Sequence, residues 1–293
     1  MSKNIVAVFL CDRKYYSKFM KTCEQLINNG KYKGDIVLVV GDDLKSASSE
    51  QFILKFNIKV KHFPNIVFSE EFIKIQKSLP RPGHWFEKLF QYHKLYLFDV
   101  YFKQWDYVFY IDCGMSIYNS VQPIINLSSP GIMWANRDGV DGEVFEEDEI
   151  RSYNKLIGDG IGQSLKLHAQ FCKVEPYYTS LKEKYELGHN CFQTTTMLYS
   201  TDLISNDTFS NLLSLTNKYP ISRTNDQGII SLYFTKIISS WKQIPHLLNN
   251  QYTYDLVNCV HQPYIMIKYP STHFINKGYF ATYTGQINET KQN

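Results

Sequence analysis

The sequence predicts a doubly wound, mainly parallel α/β sheet flanked by helices, in a single domain. Three observations carry that expectation. Ile5–Leu10 is a continuous apolar run and Asp35–Val40 a second one, as expected of strands covered on both faces. Helical patterns separate such runs along the first third of the chain, the alternation that builds parallel sheets. The third is Trp105-Asp106-Tyr107-Val108-Phe109-Tyr110-Ile111-Asp112-Cys113-Gly114, a buried strand that delivers one carboxylate to its C-terminal end. Open α/β sheets bind ligands beyond that edge. An Asp placed there either caps the turn before Gly114 or does chemistry.

The elements follow in order. After the first strand, Tyr16, Phe19, Met20, Cys23 and Leu26 recur at helical spacing. The second strand closes at the turn Gly41-Asp42-Asp43; residues 49–56 read as a helix and Ile58–Val60 as a third strand. Pro80-Arg81-Pro82-Gly83 is a loop. A helix is expected from Trp85 to Phe102, with so broad an apolar surface that it packs deep against the sheet. It feeds the Asp112 strand. Ile132–Ala135 reads as another strand, with Asn136-Arg137-Asp138 at its end. Residues 139–190 break the alternation as an insertion, a candidate acceptor region or lid. Its stretch Gly158-Asp159-Gly160-Ile161-Gly162 lacks a preceding strand and reads as loop. Then come a strand (Phe192–Tyr199), a helix (Thr201–Asn217), a helix opening near Asn225, and a late strand (Ile265–Tyr269). Within one domain this gives a first half (1–138), the insertion, a second half (191–280) and a polar tail (281–293).

Composition narrows the function. Net charge is +3 with Lys and Arg spread along the chain, so no basic cluster points to nucleic acid. The six cysteines (Cys11, Cys23, Cys113, Cys172, Cys191, Cys259) show no CxxC pair or regular spacing, against a zinc site or disulfide framework. Ile5–Leu10 is too short for a signal or membrane segment, and the expected location is cytoplasmic. The aromatic share is 15%, with 22 Tyr and 19 Phe, which suits either a ring-lined ligand cleft or a dense core. An aspartyl-phosphate hydrolase also ends an apolar strand in Asp but needs a second Asp two residues on, where Gly114 stands. A nucleotidyltransferase needs a glycine-rich loop after the first strand, and Cys11–Tyr16 contains no glycine.

Five landmarks, in order, resemble nucleotide-sugar glycosyltransferases of the GT-A fold, most of all glycosyltransferase family 8, the glycogenin and lipopolysaccharide galactosyltransferase group. They are the opening strand with its Tyr16 helix, the Lys94 helix, Tyr110-Ile111-Asp112-Cys113-Gly114, Asn225-Asp226-Gln227-Gly228, and His273-Phe274. The resemblance implies a Rossmann-like sheet and transfer of a hexose from a UDP-sugar to a hydroxyl on an unidentified acceptor, with retention. A homodimer is compatible with it. A catalytically silent sugar-nucleotide or glycan-binding protein on the same fold is the alternative, motivated by Gly114.

The resemblance also implies roles. Asp112 matches the first residue of an Asp-x-Asp metal motif, with Cys113 in the middle and Gly114 in place of the second Asp. A divalent ion, Mn²⁺ or Mg²⁺, would then rest on Asp112 and on His273, with Lys277 on the diphosphate; a structural histidine is the competing reading. Lys94 either reaches the nucleotide sugar or snorkels. Leu10, Cys11 and Asp12 would contact the base and Tyr16 would stack on it or pack its helix on the sheet. Asp138 and Gln193 would hold sugar or acceptor hydroxyls. Asn225 or Thr224 would cap a helix whose first turn carries Asp226 and Gln227, the pair expected beside the anomeric carbon.

Overall fold

The computed structural model describes residues 3–78, 89–137, 174–187, 191–221, 225–257 and 263–269. Its strands are β1 (Ile5–Leu10), β2 (Asp35–Val40), β3 (Lys59–His62), β4 (Tyr107–Ile111), β5 (Ser116–Ile117), β6 (Met133–Arg137), β7 (Phe192–Ser200), β8 (Trp241–Gln243), β9 (Leu247–Leu248), β10 (Gln251–Val257) and β11 (Tyr264–Tyr269). Seven form the main sheet in the order β3-β2-β1-β4-β7-β6-β8, and four form a second sheet, β5-β11-β10-β9.

The main sheet is doubly wound. Moving outward from β1, successive strands run to β2 and β3 on one side and to β4 on the other, all in parallel register. That reversal between β1 and β4 is the switch point at which the strand ends open a crevice. β7 is antiparallel to both β4 and β6, while β8 pairs in parallel with β6. Its direction matters for the site: because Ile111 pairs with Thr196, the first residues of β7 lie at the same edge as the last residues of β4.

Alternation along the strands covers both faces. Val6, Val8, Leu10, Val108 and Tyr110 enter one apolar cluster; Ala7, Phe9, Cys11, Phe109 and Ile111 enter the other. On the second face the helix Tyr16–Asn28 buries Tyr16, Phe19, Thr22, Cys23 and Leu26, while Met20 is half-buried.

Two helical expectations and one strand end change. Over the described part of 85–102 there is no continuous α-helix. Phe90–Phe98 and Val100–Gln104 are two tighter 3₁₀ runs, separated at Asp99, whose extended backbone (φ −78°, ψ 148°) lets its carboxylate accept the Tyr101 N–H. Residues Tyr92 to Phe98 are all buried, so no solvent face imposes a 3.6-residue period. The stretch expected as one helix over 201–217 is a short turn, Thr201–Leu203, and then a helix, Thr208–Lys218. Between them the Ser205 N–H donates to Thr208 Oγ1 and the Asp207 N–H to Ser205 Oγ, local bonds that replace helical ones. The third strand runs to His62, two residues past its expected end. Of the insertion, only 174–187 is described, and it carries the helix Glu175–Lys184. Among the described residues, no helix is long and apolar enough to cross a membrane.

His93 gives the fold a pH signature. It is 3% exposed, and neither ring nitrogen has a hydrogen-bond partner among the described residues. Burial, opposed in part by Asp42 and Asp43, pushes its pKa from 6.5 down to about 4. The unfolded chain takes up this proton near pH 6.5 and the native state near 4, so stability is full above that window and falls as pH drops through it. The loss attributable to His93 is up to about 3 kcal/mol. His93→Phe should flatten the pH dependence of urea unfolding between neutral pH and pH 5; an unchanged slope would show that His93 does not titrate in this way.

Candidate active site

β4 ends at Ile111 and presents Asp112 at the switch-point edge, where the Asp112 N–H donates to the Thr195 carbonyl at 2.8 Å. The carboxylate is held on both oxygens. Oδ1 accepts from the Tyr110 hydroxyl at 2.6 Å and lies 3.0 Å from Lys94 Nζ; Oδ2 lies 2.6 Å from Lys268 Nζ. Burial alone would raise the Asp112 pKa, but Lys268 and Lys94, with the hydrogen bonds from Lys268 and Tyr110, bring it down to about 2. Asp112 is a fixed anion.

Lys94 comes from the middle of the buried 90–98 run and is itself buried. Its ammonium donates to the Thr194 carbonyl at 3.1 Å, lies 3.6 Å from Asp226 Oδ2, and sits 5.4 Å from the Tyr110 ring centroid. Thr194 Oγ1 donates to Asp226 Oδ2 at 2.7 Å. Burial raises the Asp226 pKa, against the pull of Lys94 and Thr194. Basic and acidic side chains thus alternate as Lys268, Asp112, Lys94, Asp226. Side-chain exposure runs 18%, 17%, 10% and 4% along that row, so the Lys268–Asp112 end faces out and the Asp226 end is sealed.

Asp226 opens the helix Asp226–Leu232. The residue before it does not cap that helix as expected. Asn225 has φ 57° and ψ −117°, a strained backbone, and its side chain donates to Gln91 Oε1. Thr224 lies outside the described residues.

Lys268 was not singled out from the sequence. The chain turns after Asp112 into β5, and β5 pairs antiparallel with β11, Met266 against Ile117 and Ile267 against Ser116. Continuing that register by one residue brings Lys268 beside the Asp112 turn. The available signal was a lysine inside an otherwise apolar run, Tyr264-Ile265-Met266-Ile267-Lys268-Tyr269. Tyr110 enters the sequence reading only within the Asp112 strand motif, and Thr194 only within the strand Phe192–Tyr199.

No protein-family model matches this chain, and no curated protein matches it. Solved structures do. The galactosyltransferase LgtC in complex with donor and acceptor sugar analogs superposes with a TM-score of 0.52 at 11% identity, over 89% of this chain and 86% of that one. An active-site mutant of LgtC gives 0.54 at 10% identity with the same coverage. The bifunctional glycosyltransferase WbbM gives 0.50 at 12% identity, over 88% of this chain but 40% of that one. The chain has a GT-A glycosyltransferase fold.

On that fold, the other sequence candidates fall as follows. Leu10, Cys11 and Asp12 end β1 beside Asp112: the Cys113 thiol donates to the Leu10 carbonyl at 3.2 Å, and Asp12 accepts the Tyr15 N–H at 2.9 Å. Tyr16 is buried, its ring centroid 5.7 Å from that of Phe19 and its hydroxyl without a hydrogen-bond partner; burial pushes its pKa up to about 12. Gln193 is buried near the start of β7 and Gln227 is half-buried in the first turn after Asp226. Gly114 has φ 97°, and its N–H donates to Thr22 Oγ1 at 3.0 Å. Asp138, His273 and Lys277 lie outside the described residues.

The described residues do not fit a divalent ion. No three His, Cys, Asp or Glu side chains among them come together as a ligand set. Both oxygens of Asp112 already face ammonium groups, and Gly114 supplies no second carboxylate.

Two variants test this geometry. Lys94→Met removes the cation between two buried carboxylates and should cost about 3–5 kcal/mol in urea unfolding. Adding Asp226→Asn should recover part of the loss, because the uncompensated charge is gone; equal losses in single and double variants would contradict the pairing. Gly114→Ala should cost about 1–2 kcal/mol from its left-handed backbone alone. Among the described residues its Cβ would find only Lys18 Cδ, at 3.6 Å, so steric crowding from them does not add to that. No measurable loss would mean that the turn is not held at positive φ.

Proposed function

We propose that this chain is a glycosyltransferase that moves a hexose from a UDP-sugar to a hydroxyl of its acceptor with retention of configuration. The observation that carries the reading is the Lys268–Asp112–Lys94–Asp226 row at the switch-point edge of a GT-A sheet. Breaking the bond from the anomeric carbon to the phosphate oxygen leaves the electron pair on the nucleoside diphosphate. The acceptor oxygen forms the new bond, and its hydroxyl proton goes to the departing phosphate. The diphosphate gains negative charge as it leaves, and fixed cations aimed at it lower the barrier. Asp112 orients Lys94 and Lys268 for that purpose; Asp226 and Gln227 are the groups assigned to the sugar side. The solved structures that share the fold are glycosyltransferases, which supports the class of reaction.

A catalytically silent binding protein is the second reading, favoured by one observation: Asp112 already has a cation on each oxygen. The two readings part in a single assay. Release of UDP from UDP-glucose, UDP-galactose or UDP-GlcNAc is expected, falling about 100-fold or more in Asp112→Asn. The anomeric configuration of the product, read by NMR, checks retention. Binding of UDP-sugars with no release would favour the silent reading, and release indifferent to Asp112→Asn would remove this site from the mechanism.

A further inference from the structure

Asp112 meets an ammonium on the side where a divalent ion would have to sit. Lys268 Nζ lies 2.6 Å from Oδ2, while Oδ1 is taken by Lys94 and Tyr110. The next residue able to supply a carboxylate from the same turn is position 114, and it is a glycine at φ 97°. We propose that Lys268 is the resident cation of this site, standing in for a divalent metal, so that the reaction runs without one. This rests on reading the site as one for a nucleoside diphosphate sugar.

Three features support the assignment. The first is charge. One carboxylate with one ammonium is neutral, as two carboxylates around a dication would be, so losing the second carboxylate and gaining a lysine keeps the local balance. The second is rigidity. Lys268 projects from a paired strand whose preceding residues, Tyr264 to Ile267, are buried, and β5 fixes its register to the Asp112 turn itself. A cation held by the sheet needs no reorganisation when charge develops beside it. The third is direction. Lys268 and Asp112 form the more exposed end of the charge row, so a diphosphate arriving from solvent meets Lys268 before it meets Lys94. An ammonium carries three donors and can bridge a carboxylate and a phosphate oxygen. The part of Lys268 in the reaction is electrostatic, with no proton transferred.

The test uses the full chain after exhaustive EDTA treatment. UDP binding is measured by calorimetry, and UDP release from UDP-sugars by product assay, each with and without added Mn²⁺. Wild type is expected to bind UDP and turn over in EDTA, with no gain from Mn²⁺. Lys268→Met should weaken metal-free UDP binding roughly 10- to 100-fold, the worth of a charge-assisted hydrogen bond, whereas Lys268→Arg should retain more of it. If Lys268→Met fails to fold, the wild-type comparison with and without Mn²⁺ still decides. UDP binding or turnover that appears only with Mn²⁺ overturns the proposal and leaves the glycosyltransferase reading standing. UDP binding equal in wild type and Lys268→Met overturns it too. Absence of UDP binding under every condition overturns both.

Discussion

Burying a charge in a protein is costly unless an opposite charge and hydrogen bonds compensate it, and here two lysines and two aspartates are set alternately in a row. Lys94 is the member that the others depend on. It sits between Asp112 and Asp226, and without it two carboxylates would share a nearly closed site. Much of the local architecture follows from holding that ammonium in place. The 90–98 run is buried along Tyr92 to Phe98 and winds tightly. β7 runs antiparallel so that Thr194 reaches both Lys94 and Asp226. Asn225 accepts a strained backbone at the entrance to the helix that carries Asp226.

The two sheets divide the work. The main sheet brings Asp112, Thr194 and the end of β1 to one edge, as its winding order dictates. The second sheet contributes one group, Lys268, through a two-residue strand that directly follows the Asp112 turn. The left-handed backbone at Gly114 is part of that turn. The glycine that removes a carboxylate from the site thus belongs to the connection through which Lys268 reaches it.

Local patterns in the sequence carried the parts of this that depend on neighbours in the chain. Ile5–Leu10, Asp35–Val40 and the Asp112 strand are apolar runs long enough to read directly, and Asp226 stands out by opening a helix. Lys94 was visible as a charge inside an apolar stretch, though not as part of a 3₁₀ run, because a segment buried on all sides loses the period that distinguishes helix types. Lys268 was the same kind of signal and was passed over, since its meaning depends on the β5–β11 pairing, a contact across 150 residues that no local pattern encodes. The Asn225 cap failed for a related reason: its side chain is drawn to Gln91, far away in sequence. Asp138, His273 and Lys277 fall outside the described residues.

On the proposed reading, ammonium groups and not a metal ion neutralise Asp112. Diffraction from crystals grown with UDP and Mn²⁺, collected at the manganese absorption edge, tests it most directly. Lys268 Nζ is expected within hydrogen-bonding distance of Asp112, with no anomalous peak at coordination distance from the carboxylate. A manganese peak on Asp112, with Lys268 swung away, would contradict it.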